Sequence, residues 1–160
     1  MSRLIVGIAV ALLAMTSLSV AQTPAAPPPP YGLSISFDMA KKMVDAAEAE
    51  ARKNNWNVVI SVVDTGGHAV YLRRLDGTQT ASVAIAQGKA SSAVAYRRPT
   101  KALEDALQQS PRLLAVPGIM PLEGGLPIVV DGKIIGGIGV SGVLSSQDAM
   151  IALAGIAALK

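Results

Sequence analysis

The chain has 160 residues, a formal net charge of +3 and 51% hydrophobic residues, with five aromatics, one histidine and no cysteine. The missing thiols exclude disulfide staples and thiolate metal sites, and a single imidazole excludes a multi-histidine zinc centre. Basic residues are scattered apart from Arg73-Arg74 and Arg97-Arg98. No basic stripe with stacking aromatics marks a nucleic-acid surface, so no nucleic-acid partner is expected.

Arg3 precedes an apolar run, LIVGIAVALLAM, and the small-residue site Ser19-Val20-Ala21 follows. This reads as a signal peptide over residues 1–21, cleaved after Ala21, which implies a periplasmic or secreted protein. The apolar core is short for a span of about 20 residues, so no integral membrane segment is expected after cleavage. Residues 22–32 contain TPAAPPPP, a proline-rich linker with an extended polyproline bias. Residues 33–160 are left for one domain, an ordinary size for a single core.

Ser36 predicts a helix cap, and Ala40, Met43, Val44, Ala47 and Ala51 recur on one face of the helix it opens. Asn54-Asn55 ends it. Val58 to Val63 form a β-branched run, apolar on both faces, as in a covered central strand. Asp64-Thr65-Gly66-Gly67 turns the chain, residues 68–75 return as a second strand, and Asp76-Gly77 ends the hairpin. Thr80 is placed to cap a second helix rich in Ala, Ser and Gly, with Ala81, Ala84, Ile85, Gly88 and Ser92 on a smooth face. Thr100 starts a third, short helix bounded by Pro111. Leu126–Val130 and Ile134–Val140 form a last hairpin around Asp131-Gly132. Ser145 or Ser146 caps the final helix, with Asp148 near its positive end. An extra strand near Met120 is also open.

The order is helix, two strands, two helices, two strands, helix. With antiparallel hairpins throughout, it predicts an α+β domain with helices packed on one sheet. Gly137, Gly139 and Gly142 spell G-x-G-x-x-G, the dinucleotide fingerprint. That motif works between a strand and a helix of a parallel βαβ unit. Here the preceding strand belongs to a hairpin, and no second parallel strand follows in this sequence. The glycines instead imply close approach of a helix, another subunit or a flat ligand. Small side chains bury little area each, so subunit contacts and a homo-oligomer are expected.

Several stretches, taken in order, resemble the GlcG/HbpS family, the haem-binding-protein-like domain also found at the C-terminus of PduO proteins. They are Val62-Val63-Asp64 with Gly66-Gly67, Arg73 with Asp76-Gly77, Lys89-Ala90, Pro117-Gly118, Gly124-Gly125 with Pro127-Ile128, and Ile135 to Gly142 followed by Asp148. The resemblance covers nearly all of residues 33–160. It implies a profilin-like fold, a central antiparallel sheet with helices on both faces, and oligomerisation. It further implies that haem or a related tetrapyrrole is a candidate cofactor, while other members carry no settled activity. A paired-glutamate motif, Glu-x-x-Glu, is linked to iron in some secreted members. This chain has Glu48 and Glu50, two apart, which point in different directions on a helix.

His68 is the candidate metal ligand, since an imidazole beside the Gly-Gly turn can ligate haem iron; the alternative is an exposed turn residue. Tyr71, Tyr96, Met43 and Met120 are further axial candidates, with Met43 on the apolar helix stripe. Arg73 and Lys89 are candidate anion hooks, because a cation among small residues needs a counter-charge. That charge is either a ligand carboxylate or an internal acid among Asp64, Asp76 and Glu123. Asp64 itself reads first as a turn residue. Met120, Glu123, Gly124 and Gly125 belong to a Pro-Gly loop over residues 117–125 that, with the glycine-rich hairpin, is expected to form the apolar wall of a small-molecule site.

No nucleophile elbow or phosphate loop is present. The leading reading is an exported small-molecule-binding protein. The alternatives are an enzyme on a small acid or carbonyl compound, with Lys89 as acid-base group and the Gly124-Gly125 amides as oxyanion donors, and a structural oligomeric protein.

Overall fold

The computed structural model describes residues 26–159. The leader read at residues 1–21 lies outside them. Helix α1 spans Phe37–Lys53, strand β1 Val59–Val63 and strand β2 Ala69–Arg74. Helices α2, Ser82–Ala95, and α3, Thr100–Gln109, follow, then a 3-10 turn at Pro111–Ala115. Strands β3, Gly125–Val130, and β4, Lys133–Ser141, precede helix α4, Ser145–Ala157. The strands form one antiparallel sheet in the order β2-β1-β4-β3, so the two hairpins meet where β1 pairs with β4. This is the α+β architecture expected from the sequence.

The α1 stripe is fully legible. Ala40, Met43, Val44, Ala47 and Ala51 are its buried residues, and Ser36 Oγ accepts the Met39 amide at 3.3 Å. They pack with Ile151 and Ala152 of α4 against Val58, Ile60, Val62, Ile138 and Val140. Each such valine or isoleucine contributes roughly 1.5–3 kcal/mol by leaving water. The opposite pleat carries Val63, which clusters with Ala90 and Val94 of α2. Helices therefore cover both faces of the sheet.

On the α2 side the sheet surface is glycine. A Cβ on Gly139 would strike the Ala86 carbonyl and lie 2.5 Å from the Ala90 amide. One on Gly137 would lie 2.6 Å from the Ala90 carbonyl. The fingerprint glycines thus seat a helix directly on the strand backbone. Asp131 and Gly132 both have positive φ, 48° and 73°, as a two-residue hairpin turn requires.

Local details differ from the sequence expectations. The buried side of α2 is Ser82, Ala86, Lys89, Ala90 and Ala93 rather than the face through Ala81 and Ala84, both exposed. An alanine-rich helix has no strong apolar stripe, so its orientation is set by the glycines beneath it. Thr80 gives α2 no side-chain cap. Ser145 opens α4 as a helical residue; Gln147 Oε1 accepts the Leu144 amide at 3.2 Å instead of a serine capping it. The segment around Met120 is irregular and forms no strand. Pro30 and Gly32, placed in the linker, bond to β4: Pro30 O accepts the Ile134 amide and Gly32 donates to Ile134 O, both at 2.8 Å.

Candidate functional site

The seven residues singled out in the sequence separate into four places. Lys89, Gly124 and Gly125 lie inside the molecule. Lys89 Nζ donates to Asp148 Oδ2 at 2.8 Å and to Val140 O at 3.0 Å, and both side chains of the pair are only 2% exposed. Burial pushes the Asp148 carboxyl above its ordinary value, and the Lys89 ammonium pulls it part of the way back. The counter-charge is therefore internal, but it is none of the three acids weighed from the sequence. The available signal was that Asp148 is the lone charge in α4, SSQDAMIALAGIA.

The Gly-Gly pair makes room for this ion pair. A Cβ on Gly124 would lie 2.9 Å from Lys89 Nζ, and one on Gly125 would strike the Lys89 carbonyl. The Gly125 amide donates to Thr100 Oγ1 at 2.9 Å. Neither the Lys89 ammonium nor that amide is open to a substrate, so the acid-base and oxyanion roles have no access here.

Arg73 lies on the α1 side of β2. Its guanidinium donates to Asp45 at 2.8 Å, to Glu48, and to Tyr71 Oη at 2.7 Å. The Tyr71 bond, followed by those to the two acids, holds its pKa above the ordinary arginine value against the opposing effect of burial. Burial opposes the Glu48 charge, yet bonds from Arg52 and Arg73 outweigh it and hold the carboxyl low. Glu50 instead bonds Asn54 and pairs with Lys53. The two glutamates turn to different partners, as their spacing implied. Among the described residues, no group of three or more metal-ligating side chains occurs.

Met120 and Glu123 occupy the outer loop. The Met120 side chain covers Gly88, and its amide donates to Ser92 Oγ at 2.8 Å. The Glu123 amide donates to Glu104 Oε2 at 2.6 Å. Met43 is buried in the core and Tyr71 is bonded to Arg73, so neither is an open axial ligand. Tyr96 ends α2 as its C-cap.

His68 stands apart from all of these on the β1–β2 turn, with its side chain 83% exposed. The turn is fixed. Asp64 Oδ1 accepts the Gly66 amide at 2.8 Å and the His68 amide at 2.9 Å. Thr65 Oγ1 lies 2.7 Å from Ser34 Oγ, and Ser91 Oγ donates to Gly67 O at 3.0 Å. The His68 backbone bond, opposed by burial and reinforced by the Gly66 bond, keeps Asp64 below the usual carboxylate range. His68 Nδ1 lies 3.4 Å from that ionised oxygen. A carboxylate beside one ring nitrogen is the kind of neighbour that orients metal-ligating histidines. Beside the turn is an open cleft of about 210 Å³, lined by Thr65, Gly66, Gly67, Ser91, Val94 and Ala95.

Residues 35–157 match the model of the HbpS-like family, described as haem degrading protein HbpS-like. Protein GlcG of Escherichia coli K12 is 43% identical over 108 residues, covering 67% of this chain and 81% of that protein. The crystal structure of HbpS is similar with a TM-score of 0.77 and 35% identity, over 81% of this chain and 92% of that one. The structure of a PduOC:Heme complex is similar with a TM-score of 0.73 and 30% identity, over 79% of this chain and 95% of that one.

Proposed function

The chain belongs to the HbpS-like family, and we propose from that membership that it is an exported small-molecule-binding protein whose ligand is haem or a related carboxylated tetrapyrrole. The observation that carries this reading is His68: an exposed imidazole on a clamped turn, its Nδ1 at Asp64, beside a cleft. A relative solved as a haem complex supports the ligand class. Val94 and Ala95 give the cleft an apolar wall, and the exposed His68 imidazole on the adjoining turn is the side chain that would ligate haem iron. Bound haem would supply the iron that His68 ligates. Asp64 lies beside the ring and fixes the turn by accepting the Gly66 and His68 amides, while Ser34 and Ser91 bond to the turn as well. The leader at residues 1–21 supports export. Large apolar side chains exposed on and beside α4, Leu144, Met150 and Leu153, support a homo-oligomer.

Hemin titration of the purified protein tests the reading. A shifted Soret band, a complex that co-elutes on size exclusion, and loss of the shift in His68→Ala are expected. A spectrum that stays that of free hemin, with no co-eluting complex, refutes haem binding. An unchanged shift in His68→Ala refutes the ligand assignment alone.

A further inference from the structure

Two residues beyond Ala95, which lines the cleft with Val94, α2 gives way to an arginine held in an unusual way. The helix closes with two bonds: the Arg97 amide donates to Val94 O at 3.1 Å and the Arg98 amide to Ala93 O at 3.2 Å. This paired closure puts the residue after the C-cap in the left-handed region, where glycine is the usual choice. Here that residue is Arg97, with φ 51°. An L side chain is strained there, and such strain persists where something else requires the side chain.

Tyr31 explains how the side chain is held. Its hydroxyl donates to Val94 O at 2.9 Å and approaches Ala95 O at 3.4 Å, so it lies against the two α2 residues that line the cleft. The Arg97 guanidinium stands over the Tyr31 ring, 5.7 Å from its centroid. Arg73 has two carboxylates and Arg52 has one. Arg97 makes no ion pair among the described residues, and its aromatic neighbour orients the charge without neutralising it. Asp64, on the β1–β2 turn, is committed to the Gly66 and His68 amides.

We propose that Arg97, stacked on Tyr31, anchors a carboxylate of the bound ligand at the α2 end of the cleft. This rests on the reading of the protein as a carrier of carboxylated tetrapyrroles, and names the part of the site that recognises the acid. The volume agrees. At about 210 Å³ the cleft is below the roughly 300–1,000 Å³ common for ligand pockets, so it admits an edge or an acidic arm while the rest lies over the exposed turn. A guanidinium is suited to the task because its planar fork can grip both carboxylate oxygens.

The test uses metal-free protoporphyrin IX and its dimethyl ester, so that iron ligation by His68 does not enter. Arg97→Gly is the variant, because glycine relieves the left-handed strain and the fold is retained. The wild type is expected to bind the diacid more tightly than the ester. Arg97→Gly should bind the diacid roughly ten- to a hundredfold more weakly, bind the ester like the wild type, and melt at the same or a higher temperature. Equal diacid affinity in variant and wild type overturns the anchor, as does a wild type that does not distinguish acid from ester. In either case the hemin and His68→Ala result stands independently. A wild type that binds neither porphyrin and leaves the hemin spectrum unchanged overturns the anchor and the haem reading together.

Discussion

Replacing Lys89 with methionine keeps an unbranched side chain one atom shorter and removes its charge. Asp148 is then left 2% exposed, with the Val143 amide at 3.3 Å and no cation. Breaking a buried pair from one side costs about 3–5 kcal/mol, against a total stability of about 5–15 kcal/mol for a domain. The variant should therefore lose about a fifth or more of its stability near neutral pH. The cost has a direction in pH. Without Lys89, burial raises the Asp148 pKa further, so the folded state holds a proton that the unfolded chain releases above about pH 4. Stability of Lys89→Met then falls as pH rises through the window between those two values, and the deficit against wild type is smallest in acid. Urea unfolding followed by Trp56, the single tryptophan and packed against the core, reads both effects. The double variant Lys89→Met, Asp148→Leu should recover most of the loss, because no charge is left buried. If the two single losses add in the double variant to within about 0.5 kcal/mol, the pair is not coupled and the reasoning fails.

Gly139→Ala should cost about 3 kcal/mol, because its Cβ meets the backbone of α2, which has no rotamer to yield. Gly118→Ala, with φ 73° and nothing within 4 Å, should cost only about 1 kcal/mol of backbone strain; comparable losses in urea melts would refute helix seating as the role of Gly139. Arg73→Met should lose more stability at pH 7 than at pH 3. Glu48 and Asp45 have folded pKa values below their unfolded ones, so their contribution is present above about pH 4 and lost as pH falls through the folded values. The same deficit at both pH values would mean that Arg73 acts by packing alone.

The architecture was legible because its strongest signals are local. The α1 stripe, the β-branched β1 and the Asp131-Gly132 turn each follow from one short stretch of chain. The site was less so, because its pairings join distant segments. Lys89 and Asp148 are 59 positions apart, and nothing in either neighbourhood says which acid faces which cation. Gly124-Gly125 read as ligand-facing amides, whereas they are the space that the ion pair fills. The Arg97 and Tyr31 contact also joins separate segments. It was missed for a further reason: the left-handed conformation at Arg97 has no glycine to announce it.

Where a ligand can lie follows from how α2 is seated. Gly137 and Gly139 bring the helix backbone onto β4, and Lys89 with Asp148 fills the gap at Gly124. That seam leaves its cation committed inside and unavailable to a carboxylated ligand. Arg73 is committed too, to Asp45 and Glu48. On the proposed reading, recognition of an acid falls instead to the outer surface, where His68 lies on the β1–β2 turn and Arg97 makes no ion pair among the described residues. This separates stability from binding. Lys89→Met, assayed in conditions where it remains folded, should bind hemin within about twofold of the wild type. A tenfold weaker complex in a variant with intact circular dichroism would place the ligand against the α2–β4 seam and refute an outer site.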